Sequence, residues 1–285
     1  MATRNRYARR TRAGRTTARR TTASRAARSG PVISLARAGF LARGIMYIVI
    51  GWIALRVAFG KTGQQADRTG ALHELSSTPL GKLALWVLVV GFFGMALWRL
   101  SEAVYGTRVD GRKTSARLMS LGRAVLYAVL GYGVLKYALG AGAPQSTNKQ
   151  SVDLTASVLK DPGGQAAVIV IGLVFIGAGA YLAYQAWKKR FLRELELGRL
   201  RARERRMVEW LGRVGGIARG IVFITAGIFL VVAAVHSQPG QAKGIDSSLR
   251  ALATTPAGPL LLVLVSIGLM MFGLFSCCEA RWRRF

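Results

Sequence analysis

The residues of this chain that could do chemistry are arginines and glutamates that recur at fixed positions of a repeating pattern. Three stretches of the form Arg-[Gly/Ala]-x-x-[Tyr/Phe]-x-x-x-Gly begin at Arg43, Arg123 and Arg219. An acid or its amide follows later in each copy, at Glu102, Gln185 and Glu279. Arginine pairs with carboxylates and binds phosphate oxygens through the same planar set of donors. The six positions therefore predict either contacts between helices or contacts with anionic lipid.

The first interpretation is a ring of ion pairs that fastens one end of a helix bundle. We expect Arg43 to pair with Glu102, and Gln185 to supply only a neutral hydrogen bond in the middle copy. The second interpretation is a site for an anion or a lipid phosphate, built from the three arginines, because charges within membrane helices often mark binding sites.

Other reactive residues are few and poorly placed for catalysis or metal binding. The two histidines, His73 and His236, lie far in sequence from the two cysteines, Cys277 and Cys278. Adjacent cysteines lack the C-x-x-C spacing of redox and zinc motifs, so we expect them to be small packing residues. The sequence therefore predicts no catalytic site, no metal site and no cofactor, in a protein that is not an enzyme.

The segments that carry these residues are long and apolar. Of the 285 residues 52% are hydrophobic, yet Lys+Arg outnumber Asp+Glu by 41 to 12. The hydrophobic residues lie in uncharged blocks between arginine-rich ones, which is typical of a protein that crosses the membrane several times. This pattern excludes a disordered chain, a disulfide framework and an ordinary globular enzyme.

Three uncharged segments reach the length of about 20 helical residues that a membrane span needs, and three shorter segments are bounded by cations that can extend to the head groups. Two of them contain a cation, Arg56 or Lys136, thirteen residues after the arginine that opens the helix. Such cations can reach the head groups on the far side. The predicted spans are 44–59, 83–98, 124–139, 162–187, 220–242 and 251–278.

The spans form three copies of a two-helix unit. The first helices align without gaps at offsets of 80 and 176 residues, and each second helix follows a turn with proline. The turns are Thr78-Pro79, Asp161-Pro162 and Thr255-Pro256, each interpreted as an N-cap followed by proline at the first helical position. Because each copy crosses twice, all copies have the same orientation. The predicted fold is an all-α membrane protein with six transmembrane helices, as three parallel repeats around a pseudo-threefold axis.

Five segments make up the predicted organisation of the chain. Residues 1–30 are a disordered, arginine-rich tail, and residues 35–106, 115–190 and 211–285 are the repeats. Residues 191–210 are a charged helical connector with ion pairs at i,i+4 spacing. A short amphipathic helix is expected before each proline turn.

One side of the predicted membrane protein carries 32 of the cations and the other side nine. The positive-inside rule places both termini and the connector in the cytoplasm. The tail resembles a transit peptide in composition but lacks its apolar stripe, so we expect it to contact anionic head groups. Nucleic-acid binding is not expected, since no aromatic platform accompanies the charge.

The three units resemble the bacterial membrane family known as domain of unknown function 1206. The stretches that carry this resemblance are Arg43–Gly51, Arg123–Gly131 and Arg219–Gly227, each with its later [Thr/Asp]-Pro-x-Gly turn. The resemblance covers residues 35–285 and implies a six-helix integral protein of the bacterial cell membrane, with no catalytic residue to transfer. Gln185 and Ala124 make the middle repeat the least regular.

Between the cations at their ends, the spans carry no Asp, Glu, Lys, Arg or His in their interiors, whereas ion-coupled transporters usually carry such residues there. We therefore predict a structural or interaction module that binds lipid or an unidentified membrane protein. A channel or transporter for ions or small solutes is the alternative, and a homo-oligomer is left open.

Overall fold

The computed structural model describes most of the chain. The described residues are 30–60, 65–106, 114–142, 145–196, 198, 200–242, 245–253 and 258–284. Nine α-helices account for most of these residues. In chain order they are α1 (Gly30–Ala58), α2 (Arg68–Ser76), α3 (Pro79–Tyr105), α4 (Thr114–Ala138), α5 (Thr147–Leu159), α6 (Gly164–Trp187), α7 (Ala202–Val235), α8 (Ile245–Ala253) and α9 (Gly258–Trp282). The predicted tail lies outside the described residues, except for Gly30, at which α1 begins.

Six of the helices are long and apolar enough to cross a membrane, which confirms the predicted number of spans. They are α1, α3, α4, α6, α7 and α9. The chain is therefore a multi-pass membrane protein with an all-α fold in its described part. We call the end at which α1 begins and α9 ends the arginine end, and the opposite end, which carries α2, α5 and α8, the loop-helix end.

The six spans form a ring that is interrupted at one place. Neighbouring spans follow the order α4, α3, α1, α9, α7, α6. Spans of different repeats pack together at three places, α1 with α9, α4 with α3, and α7 with α6. Spans of the same repeat pack in the first and third repeats, but α4 and α6 of the middle repeat do not pack against each other. The contacts between repeats therefore follow the predicted pseudo-threefold arrangement. The contact between the two spans of one repeat is missing in the middle repeat.

Small residues at equivalent positions make the contacts between repeats. A Cβ atom at Gly44 would lie 2.8 Å from the carbonyl oxygen of Gly273, and one at Gly220 would lie 2.7 Å from that of Gly179. Glycine at these positions lets the two backbones approach closely, as is common between membrane helices. The third contact is looser, since a Cβ atom at Gly131 would have its nearest neighbour 3.4 Å away.

Two buried carboxylates join the three loops at the loop-helix end. Asp246 of α8 accepts a hydrogen bond from the backbone N–H of Ala66 at 2.7 Å. Asp67, the N-cap of α2, accepts one from the backbone N–H of Thr147 at 2.9 Å. The short helices predicted before the proline turns are thus present, and these hydrogen bonds fasten them to one another.

The proline turns begin their helices in two different ways. The Thr78 hydroxyl caps α3 by accepting a backbone hydrogen bond from the first turn at 3.0 Å, as predicted. The prediction for Asp161 is wrong, because the N-cap of α6 is Gly163, whose φ of 83° turns the chain into the helix. Only glycine adopts that conformation without strain. Thr255-Pro256 lies outside the described residues.

The connector, residues 191–210, is not the single helix that the sequence predicts. It begins in a 3₁₀ turn that ends at Glu194, and α7 starts within it and continues into the span. Two of its acids pair with cations of other segments and not at i,i+4 spacing. Glu194 pairs with Arg283, and Glu209 pairs with Lys189.

The start of the connector is bound to the C-terminal end of α9. The backbone N–H of Glu196 donates to the carbonyl of Trp282 at 2.8 Å, and the N–H of Arg284 donates to the carbonyl of Glu194 at 2.9 Å. These hydrogen bonds form a short antiparallel bridge that holds the connector against the arginine end.

Candidate arginine cluster

Charged side chains from five spans and from the connector meet at the arginine end. Both predicted glutamates and all three predicted arginines lie there, together with residues that the prediction did not include. We call this set the arginine cluster. Its members are Arg43, Arg99, Arg123, Arg219, Arg283, Glu102, Glu194 and Glu279.

Arg43 forms an ion pair of the predicted kind, although with another repeat. Its Nη2 donates to the carboxylate of Glu279, and its Nε donates to the hydroxyl of Ser276 at 2.8 Å. The guanidinium also lies 5.3 Å from the ring centre of Phe272. Glu279 accepts a second hydrogen bond, from Arg283. This buried network therefore joins the first span to the last one.

The predicted pair of Arg43 with Glu102 is not formed. Glu102 accepts a hydrogen bond at 2.7 Å from Arg99, one turn earlier on α3. Arg99 is only 5% exposed, and its guanidinium lies 4.4 Å from the ring centre of Trp98. Its Nε is buried without a hydrogen-bond partner in the described structure. Arg43 and Glu102 do not pair because each has another partner. Glu102 pairs with Arg99 on the same helix, and Arg43 pairs with Glu279 on α9.

Arg219 has no carboxylate partner among the described residues, although it occupies the position of Arg43 in its own repeat. In the repeat alignment, Gln185 on α6 is the equivalent of Glu279, the partner of Arg43. Gln185 is half-buried and forms no hydrogen bond within the described part of the chain, so the predicted neutral bond is absent there. The guanidinium lies among the rings of Tyr47, Phe223 and Phe272, and its Nε is buried without a partner.

Arg123 is exposed on α4 and has no ion pair among the described residues. Its Nη2 lies 3.1 Å from the sulfur of Met119, one turn earlier, and a thioether is a weak acceptor. Arg99 and Glu194 lie within electrostatic reach but beyond the distance of an ion pair. The guanidinium of Arg123 therefore has no oxygen acceptor in the described structure.

Glu194 connects the cluster to the connector. Burial alone would raise the pKa of Glu194. The guanidinium of Arg283, supported by Arg99 and Arg123, outweighs burial and holds the pKa of Glu194 below its ordinary value. The carboxylate is therefore charged at neutral pH.

Three members of the cluster were missed by sequence reasoning. Arg99 and Arg283 lie three and four residues from a predicted glutamate, and that helical spacing would have indicated both. Glu194 gives no such signal, because it reaches the cluster only when the connector folds back onto α9.

The cluster has a positive excess, with five arginines and three glutamates. The glutamates are engaged by Arg43, Arg99 and Arg283. Arg123 and Arg219 are the two members left without a carboxylate among the described residues. Such guanidinium groups can bind an anion with oxygen acceptors, and a phosphate fits their geometry.

Comparisons with known proteins find one family. The family model described as Domain of Unknown Function (DUF1206) matches residues 38–106, 118–189 and 214–283. "Uncharacterized protein YxxB" of Bacillus subtilis (strain 168) is 30% identical over 243 residues, which cover 84% of this chain and 87% of that protein. No solved structure matches. The three matches fall on the three two-helix repeats, and the chain belongs to the DUF1206 family.

Proposed function

We propose that this membrane protein is a structural or interaction module, without enzymatic activity, that binds anionic phospholipid at its arginine end. One observation carries the proposal: Arg123 and Arg219 have no carboxylate partner among the described residues, within a cluster that already has a positive excess. Charge-assisted hydrogen bonds to phosphate oxygens would satisfy their free donors.

The same proposal places the protein in the bacterial cell membrane, with the arginine end and both termini in the cytoplasm. The excess of cations at this end of the sequence supports that orientation. Residues 1–29 carry ten further arginines, which would add to the attraction for an anionic leaflet.

The packing of the bundle supports a binding module over a channel or transporter. One apolar core cluster occupies the middle of the bundle and draws buried side chains from five of the six spans. They include Met46, Leu88, Val134, Val222 and Leu269. Vesicles that contain the protein should therefore release trapped ions no faster than protein-free vesicles. Single-channel currents in a planar bilayer would favour the alternative.

The binding itself can be tested by thermal unfolding of the full chain in nanodiscs. Discs of phosphatidylglycerol should give a higher unfolding midpoint than discs of phosphatidylcholine with the same acyl chains. A ligand at about 100 times its Kd adds about 2.7 kcal/mol to the free energy of unfolding. The difference should shrink with salt, because head-group contacts are partly screened. Equal midpoints in both lipids would refute the proposal.

A further inference from the structure

The interruption of the ring leaves a gap between the two spans of the middle repeat, which we call the seam. Each of these spans buries one narrow stripe, four residues on α4 and five on α6, which packs on a span of the neighbouring repeat. By contrast, α3 and α9 each bury twelve residues. The remaining faces of α4 and α6 are therefore uncovered by the described part of the chain.

The uncovered faces of α4 and α6 are apolar along their length. Exposed large side chains include Leu126 and Val129 on α4, and Val170 and Val174 on α6. In a membrane such faces contact acyl chains, because no water is present to solvate them. An occupant that contacts both faces therefore needs a long apolar part.

The two arginines without carboxylate partners among the described residues lie at the arginine end, on spans next to the seam. Arg123 is on α4, and Arg219 is on α7, the span that packs on α6. Tyr127, one turn after Arg123, lies within electrostatic reach of both guanidinium groups. An occupant of the seam would therefore meet two cations at the same end.

Arg123 lies at the depth of a lipid head group. It precedes Ala138, the last residue of α4, by fifteen positions, or about 22 Å of helix. Side chains point toward the start of their helix, which carries the guanidinium further toward the arginine end. The head groups begin about 30 Å from the far edge of the apolar core, within reach of this side chain.

We propose that the seam holds one anionic phospholipid, with its phosphate between Arg123 and Arg219 and its acyl chains against α4 and α6. This inference rests on the proposed function and specifies its site. Charge selects this occupant: a second copy of the chain would bring further arginines to the same place and be repelled. A transmembrane helix of another protein is an outcome that the test distinguishes.

The first test counts the lipids that remain bound to the full chain in native mass spectrometry, after extraction from phosphatidylglycerol-containing membranes. The wild type should retain one phosphatidylglycerol. The double variant Arg123→Gln/Arg219→Gln should lose it, because each arginine contributes roughly tenfold or more to binding. The matched control Arg213→Gln/Arg284→Gln removes the same charge outside the cluster and should retain the lipid.

A second measurement leaves the arginines in place. A photo-crosslinking amino acid at Val129, on α4, should capture phosphatidylglycerol that carries a clickable acyl chain. The Arg123→Lys/Arg219→Lys variant keeps the charge and should capture intermediate amounts. Equal capture by the glutamine and control variants, or capture of a protein instead of lipid, would overturn the inference. If phosphatidylglycerol still raises the unfolding midpoint in that case, the proposed function stands and only the seam is wrong.

Discussion

Arg43 and Arg219 occupy the same position of the repeat, but the two junctions in which they lie differ in charge. At the junction of α1 with α9, Arg43 meets Ser276 and Glu279. At the junction of α7 with α6, the equivalent place holds Gln185, and the described structure offers Arg219 no carboxylate.

The packing at the two junctions is nearly the same. Glycine faces glycine at both, Gly44 against Gly273 and Gly220 against Gly179. Close approach of the spans therefore does not depend on the ion pair. The comparison indicates that glycines set the packing at these two junctions, whereas the acid on α9 gives Arg43 a partner that Arg219 lacks among the described residues.

The largest expected effect is at the paired junction. Glu279→Gln should lower the free energy of unfolding by about 3–5 kcal/mol, because it leaves Arg43 buried without a carboxylate and Arg283 with Glu194 alone. The control is Glu74→Gln, whose pair with Arg56 is about one third exposed and should contribute under about 1 kcal/mol. Denaturation in detergent measures both.

A double-mutant cycle then identifies the partner. Arg43→Gln and Glu279→Gln should be coupled by about 0.5–3 kcal/mol, whereas Arg43→Gln and Glu102→Gln should be additive. Coupling to Glu102 instead would mean that the pairs lie within repeats.

The second prediction concerns the glycines. Gly220→Ala should destabilise the protein by about 1–3 kcal/mol, since the new methyl group would meet the Gly179 carbonyl. Gly122→Ala on α4 is the matched control, because a Cβ atom there has no neighbour within 4 Å. It should be neutral or stabilise by up to about 1 kcal/mol. Equal unfolding midpoints for the two variants would contradict the close packing of α6 on α7.

The third prediction gives the junction of α7 with α6 the acid that is found at the junction of α1 with α9. Gln185→Glu should pair with Arg219 and raise the free energy of unfolding by up to about 1 kcal/mol. It should also reduce phosphatidylglycerol binding, because Arg219 then has a carboxylate. Both effects should vanish in the Arg219→Gln background, and a gain that survives there would show that the pair does not form.

The smallest effect is a pH dependence at the connector. The pKa of Glu194 in the folded protein lies below its ordinary value. The charged carboxylate therefore contributes to the free energy of unfolding at neutral pH, and this contribution is lost as the pH falls through that depressed pKa. Below an ordinary glutamate pKa of about 4.3, wild type should therefore lose stability faster than Glu194→Gln. Parallel curves of unfolding midpoint against pH would show that the ion pair with Arg283 contributes nothing.

The sequence was sufficient to predict the spans and the repeats, because both depend on local patterns. Uncharged blocks of span length and gapless repeat offsets can be recognised without knowing which helices pack together. Thr78 was predictable for the same reason, since an N-cap acts within its own first turn.

What could not be predicted depends on contacts between distant segments. The repeat alignment gives equivalent positions, but it does not say whether α1 packs on α3 or on α9 through its arginine face, so the partner of Arg43 was assigned to the wrong repeat. The fold of the connector depends on the C-terminal end of α9, and the seam depends on a contact that the middle repeat does not make.

The ion pair between Arg43 and Glu279 also constrains how the protein is made. The two residues are 236 positions apart. At about 5–20 residues per second, the ribosome needs roughly 12 to 47 seconds to synthesise the residues between them. During that time Arg43 is already in the first span, and its partner does not yet exist. A chain that stops before α9 keeps this buried cation without its carboxylate, and an uncompensated buried charge is strongly destabilising.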